Sequence, residues 1–182
     1  MLKIYLLIWG LLISLFSQAQ QISDLEFWGR PYYITSDGTL KDLERSEISV
    51  TAKFKGGGWK DTDTYLKAAG DKSSMRIDSN SLLKFYIKFT IHSDPAESLK
   101  IVRGEASKRS RLFLYSRTSR RGERRIIPND IKLKFKKISE GFFEITVDGN
   151  LAPGEYFFMP VTELGLPCPA SQIHMISYFG ID

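Results

Sequence analysis

Residues 83–91 read LKFYIKFTI, and residues 131–137 read IKLKFKK. In the first stretch Leu83, Phe85, Ile87, Phe89 and Ile91 alternate with Lys84, Tyr86, Lys88 and Thr90. In the second, Ile131, Leu133 and Phe135 alternate with Lys132, Lys134 and Lys136. A period of two sorts the side chains onto the two faces of a strand, whereas a helix would spread them around its axis. Each stretch therefore predicts a strand of an antiparallel sheet, with its apolar face in the core and its basic face in water.

Working outward, Ser139-Glu140-Gly141 is a turn signal, and Phe142–Val147 returns from it as the second arm of a hairpin. A similar unit lies earlier, where Tyr32-Tyr33-Ile34 meets Ser36-Asp37-Gly38 and Leu40 and Leu43 follow. Ile48–Phe54 alternates too, which predicts Ile48, Val50, Ala52 and Phe54 on a buried face, ended by Gly56-Gly57-Gly58. Gly56–Ser74 reads as a long loop, although Tyr65–Ala69 is compatible with a helical turn or a short strand. Met75–Ile77, Leu99–Arg103, Arg111–Tyr115, Glu155–Met159 and His174–Phe179 complete a set of eight to ten strands. Helical periodicity is weak throughout, so the expectation is an all-β chain folded as an antiparallel two-sheet sandwich.

The amino terminus predicts a compartment. Lys3 precedes an apolar run from Ile4 to Phe16 that only Gly10 and Ser14 interrupt, and small residues stand at Ser17 and Ala19. This is the layout of a cleavable signal peptide, with cleavage after Ala19. The run falls short of the roughly 20 apolar residues that a membrane span requires. The expectation is an exported protein, periplasmic or extracellular, with residues 1–19 as leader, residues 20–182 as one domain and no transmembrane segment in the mature chain. No cysteine stands at the cleavage point to carry a lipid. Cys168 is the only cysteine, so no disulfide forms within the chain, and between Pro167 and Pro169 it reads as a small buried hydrophobe.

Leu151-Ala152-Pro153-Gly154-Glu155-Tyr156 resembles a Leu-x-Pro-Gly-Glu-Tyr hallmark of a group of small exported bacterial β-sandwich proteins. Three further segments are similar to that group: Leu40–Glu44, Gly70–Ile77 and Tyr178–Asp182. The resemblance implies an immunoglobulin-like or related sandwich and brings no catalytic residues with it. The turn has its own logic, since Pro153 presets φ and Gly154 accepts a positive one before the aromatic run begins.

Motifs that carry chemistry are missing. His92 and His174 have no second histidine or cysteine two or four residues away, and Asp61-Thr62-Asp63 lacks the glycine and glutamate of a calcium loop, which leaves it as an acidic loop tip. There is no nucleophile elbow or zincin helix, and Gly56–Gly58 lacks the downstream lysine-serine or lysine-threonine pair of a phosphate loop. The expectation is a non-catalytic protein with neither cofactor nor metal.

Charge offers more. Residues 100–137 hold fourteen Lys and Arg against three acids, in a chain whose net charge is only +5. Within that region Arg117, Arg120, Arg121, Arg124 and Arg125 predict a basic hairpin loop able to hold an acidic protein, an acidic polysaccharide or a lipid headgroup. Export argues against nucleic acid as the partner. Solvation of exposed strands accounts for much of the same charge. The other candidate surface is aromatic: Trp28 or Trp59, with Tyr65 and Tyr86, as a platform for sugar rings in a carbohydrate-binding or adhesin-like domain.

Overall fold

The computed structural model describes residues 25–54, 61–89, 94–125 and 131–161 together with 175–182, the side chains of 124 and 125 excepted. The leader, Gly56–Gly58, Trp59, His92, Cys168 and His174 lie outside the described residues. Within them the chain forms β1 (Pro31–Ile34), β2 (Leu40–Asp42), β3 (Glu44–Glu47), β4 (Ser49–Phe54), β5 (Thr62–Ala69), β6 (Arg76–Ile77) and β7 (Lys84–Lys88). One helical turn, α1 (Pro95–Ser98), is capped by the Asp94 carboxylate, which accepts from the Ala96 amide at 2.8 Å. There follow β8 (Leu99–Ser107), β9 (Ser110–Thr118), β10 (Arg124–Arg125), β11 (Leu133–Ser139), β12 (Phe142–Val147), β13 (Gly154–Pro160) and β14 (Met175–Ile181). No described helix is long and apolar enough to cross a membrane.

The strands make two sheets, and the expected all-β, antiparallel, sandwich-like arrangement is what they form. The smaller sheet has the order β11-β12-β7-β1-β2; the larger runs β3-β14-β13-β8-β9-β5-β4, with β10 beside β9 and β6 beside β14. All the ladders between strands are antiparallel except β6 with β14. Both expected hairpins are present: Gly38 turns β1 into β2 at φ +86°, and Gly141 turns β11 into β12 at φ +76°.

More and shorter strands occur than the alternation predicts, because one extended run serves three ladders. Residues 40–54 pair first with β1, then bend at the buried Leu43 to join β14, then bend again at Ile48 to join β5. Since β3 and β4 are separated by Ile48 alone, the two ends of the larger sheet are consecutive pieces of chain, and the ladder returns to where it starts. Its inward face encloses Leu66, Ala68, Phe113, Tyr115, Phe157, Met159, Val161, Ile176 and Tyr178, with Ile48 at the margin.

A second core lies between the sheets. Phe85 and Ile87 of β7, Ile145 and Val147 of β12 and Tyr33 of β1 meet Tyr156 and Phe158 of β13 and Phe179 and Ile181 of β14. Phe85 packs edge-on against Phe158 with ring centroids 5.0 Å apart. Strands β13 and β14 are thus buried on both faces, with Phe157 turned into the closed ladder and Phe158 toward the smaller sheet. This is why the two strands read as nearly unbroken apolar runs, YFFM and ISYFGI, rather than alternating ones.

Three expectations are corrected. Gly56–Ser74 is not one long loop: of the alternatives for Tyr65–Ala69 the strand is the one formed, and it extends over Thr62–Ala69 as β5, hydrogen-bonded to β4 on one side and β9 on the other. Its alternation is hidden because Asp63 takes a place that is only 1% exposed, held there by Arg117. The predicted buried face of β4 is mostly open: Val50 is 50% and Phe54 70% exposed, because β4 runs past the packed interior and only Ile48 reaches it. Finally, the basic face of β7 is not fully solvated, since Tyr86 is buried against Leu25 and Tyr32 in a small outer cluster.

Candidate functional site

That outer cluster is the base of the candidate site. On the smaller sheet every second residue of β7 points away from the core, which sets Lys84, Tyr86 and Lys88 in a line. Strand pairing places Tyr32 and Glu144 on either side of Tyr86, and Phe142 beside Lys88. The stretch before β1 crosses this face: Leu25 is buried on it, while Phe27 and Trp28 are 45% and 54% exposed.

Trp28 is nonetheless firmly seated. The Gly29 amide donates to the Lys88 carbonyl at 2.7 Å, and Trp28 forms a parallel bridge with Lys88. Its six-membered ring lies against Gly141, where a Cβ would stand 3.6 Å from the ring carbons. The Lys88 ammonium sits 4.7 Å from the Trp28 ring and 5.4 Å from the Phe142 ring, and the Arg30 guanidinium 5.3 and 5.4 Å from Phe27 and Tyr32. A large aromatic surface is therefore kept in water by a rigid backbone, where burying it would have been favourable.

Beside the platform, between the β1–β2 hairpin and the segment before β7, is a groove of about 560 Å³. Its walls are mainly hydroxyl, amide and carboxylate groups of Thr35, Ser36, Asp37, Asn80 and Ser81, with Tyr86 shared with the platform. The Thr35 hydroxyl and the Thr39 amide both donate to Asp37 and hold its carboxyl below the ordinary range. Burial, reinforced by the charge of Glu144 and a hydrogen bond to it, raises the Tyr86 phenol, which stays a neutral donor toward Glu144 at 3.3 Å. Such a wall can donate to and accept from a hydroxyl-rich ligand at many points.

The basic hairpin predicted from the sequence is divided by the fold. Arg117 on β9 makes a bidentate pair with Asp63, at 2.6 and 3.0 Å, and so is tied to the barrel wall rather than offered to a partner. This corrects Asp63 as well, which is a buried strand residue and not part of a loop tip. Arg120 and Arg121 are exposed at the turn, which Gly122 closes at φ +81°, and Arg124 and Arg125 pair in register with Thr118 and Arg117. Of the predicted aromatic platform, Trp28 and Tyr86 share one face, but Tyr65 is buried on the other sheet under Lys53. No group of three His, Cys, Asp or Glu able to hold a metal occurs among the described residues.

Sequence reasoning missed a buried ionic network. Arg111 is 1% exposed, with its guanidinium 4.0 Å from the Tyr178 ring; it donates to Ala69 O at 2.7 Å and Glu44 at 3.2 Å, and lies 3.5 Å from Glu155. Glu155 also accepts from the Ser73 amide at 2.8 Å and from Arg76, whose guanidinium continues to Asp182. Glu44, Ser73, Arg76, Glu155, Tyr178 and Asp182 come from the four short segments that carry the family resemblance. Segments far apart in sequence meet there, and alternation within any one of them does not reveal it.

No family model matches this chain, and neither the curated proteins nor the solved structures contain a match to it.

Proposed function

We propose that this protein is a non-catalytic binding module, exported through its leader, whose outer platform receives a carbohydrate. The observation that carries the reading is Trp28, a half-exposed indole held by backbone hydrogen bonding next to a groove walled by small polar groups. An apolar sugar face stacks on such a ring, and the hydroxyls of sugars further along the same chain find partners in Tyr86, Thr35, Asn80 and Ser81. The carboxylates that cluster elsewhere are engaged by guanidinium groups and backbone amides, which supports a structural rather than a catalytic use of them.

The immunoglobulin-like character of the sandwich belongs to the same proposal. It is supported by the Tyr156 hydroxyl, which donates to the Ala152 carbonyl four residues upstream at 2.7 Å, in the manner of a tyrosine corner in Greek-key sandwiches. Arg120 and Arg121 at the hairpin tip favour a second, purely electrostatic contact with a polyanion.

A glycan array read at low and high salt tests the reading. Binding through the platform is expected to persist at high salt and to disappear in Trp28→Ala, with the protein still folded by circular dichroism. Binding that survives Trp28→Ala, but collapses with salt and in an Arg120→Ala/Arg121→Ala variant, would transfer the function to the hairpin.

A further inference from the structure

Lys88 lacks an acidic partner among the described residues. Of the acids on the outer face, Asp42 is paired with Arg30 at 2.9 Å, Glu144 with Lys84 at 3.4 Å and Asp148 with Lys134 at 2.7 Å, while Glu26 and Asp37 are exposed to solvent. Among the described residues none of them pairs with Lys88, whose ammonium is held by two aromatic rings instead. Ring faces attract a cation without neutralising it, so Lys88 keeps its full charge beside the indole where a sugar would stack. Lys84 stands four residues earlier on the same face, about 13 Å away along the strand, at the margin of the polar groove.

Resting on the carbohydrate reading, the geometry points to an acidic glycan as the ligand, a chain of sugars bearing carboxylate or sulfate groups. One ring stacks on Trp28 and its acidic substituent meets Lys88, while the chain continues along β7 over Tyr86 and offers only uncharged hydroxyls to the groove, where Asp37 is anionic. Lys88 is then the residue that selects for charge, and Trp28 the one that binds a sugar of either kind. An ammonium already held by two rings gives up little freedom when it meets the anion.

Calorimetric titration with three oligomers of equal length tests this: an oligogalacturonate, a sulfated oligogalactan and a neutral oligogalactan. The wild-type protein is expected to bind at least one acidic oligomer about tenfold more tightly than the neutral one. The two acidic arms distinguish carboxylate from sulfate. Lys88→Met is expected to bring the affinity for the acidic oligomers down to that for the neutral one, whereas Trp28→Ala abolishes binding of all three. Equal binding of acidic and neutral oligomers by the wild type overturns the inference while sparing the carbohydrate reading. So does a preference that persists in Lys88→Met, or one lost only in Arg120→Ala/Arg121→Ala. Failure of the wild type to bind any of the three, together with an empty glycan array, sinks the carbohydrate reading itself.

Discussion

Arg111 shows how far a single charge can lie from where its polarity suggests. It belongs to the basic surplus of residues 100–137, yet it is enclosed, and its acidic partner Glu44 is 67 residues away in the chain. Burial raises the Glu44 carboxyl, but Arg111, the Ser73 hydroxyl and the Ser74 amide outweigh it and hold the group below the ordinary value of 4.5. A carboxyl held low in the folded state contributes stability above its unfolded value, and that contribution is lost as pH falls through the folded one. Urea unfolding followed from neutral to acid pH is expected to show stability declining below about pH 4.5, and Glu44→Gln to flatten that decline while lowering stability at neutral pH. Removing the cation takes from Glu44 and Glu155 the buried guanidinium they share, so Arg111→Leu is expected to cost about 3 kcal/mol at neutral pH, read as a drop in the urea midpoint. None of this was legible beforehand: alternation identifies which residues are polar, but a buried ion pair places polar residues where apolar ones are expected.

At the scale of elements, the β9–β10 hairpin separates structural arginines from available ones. Arg117→Ala removes the bidentate cation from the buried Asp63 carboxylate and is expected to lower stability by about 2 kcal/mol, whereas Arg121→Ala, at the exposed turn, should stay within about 0.5 kcal/mol. Thermal unfolding of the two variants, compared side by side, checks this. Strand β8 supplies a packing test. A Cβ at Gly104 would lie 2.3 Å from the Phe113 ring, so Gly104→Ala is expected to cost about 1–3 kcal/mol, seen as a lower melting temperature. Elements with one wet face were the readable ones: β7, β11 and both hairpins follow from period two and turn glycines. Strand β5 was hidden because Asp63 breaks its alternation. Strand β4 misled because an apolar alternation marks one side of a strand but does not supply anything to cover it. The site was half legible, with Trp28 marked as a platform residue, while the groove and the isolation of Lys88 depend on which strands come together.

For the molecule as a whole, β13 and β14 are the shared wall between two cores. Phe157→Ala empties part of the closed ladder and Phe158→Ala part of the layer between the sheets; each is expected to cost about 3–5 kcal/mol. Because one pair of strands lines both interiors, calorimetry should give a single transition in the wild type and in both variants, with neither core melting ahead of the other. The closing of the larger sheet carries a further consequence. Its seam is formed where β3 meets β14, and there the Tyr178 hydroxyl bonds Ser46 across 132 residues of chain. Such remote pairings come late and slowly. Strand β14 must therefore have left the ribosome before the ring can shut, so the larger interior is completed only after the strands between β3 and β14 have all been made.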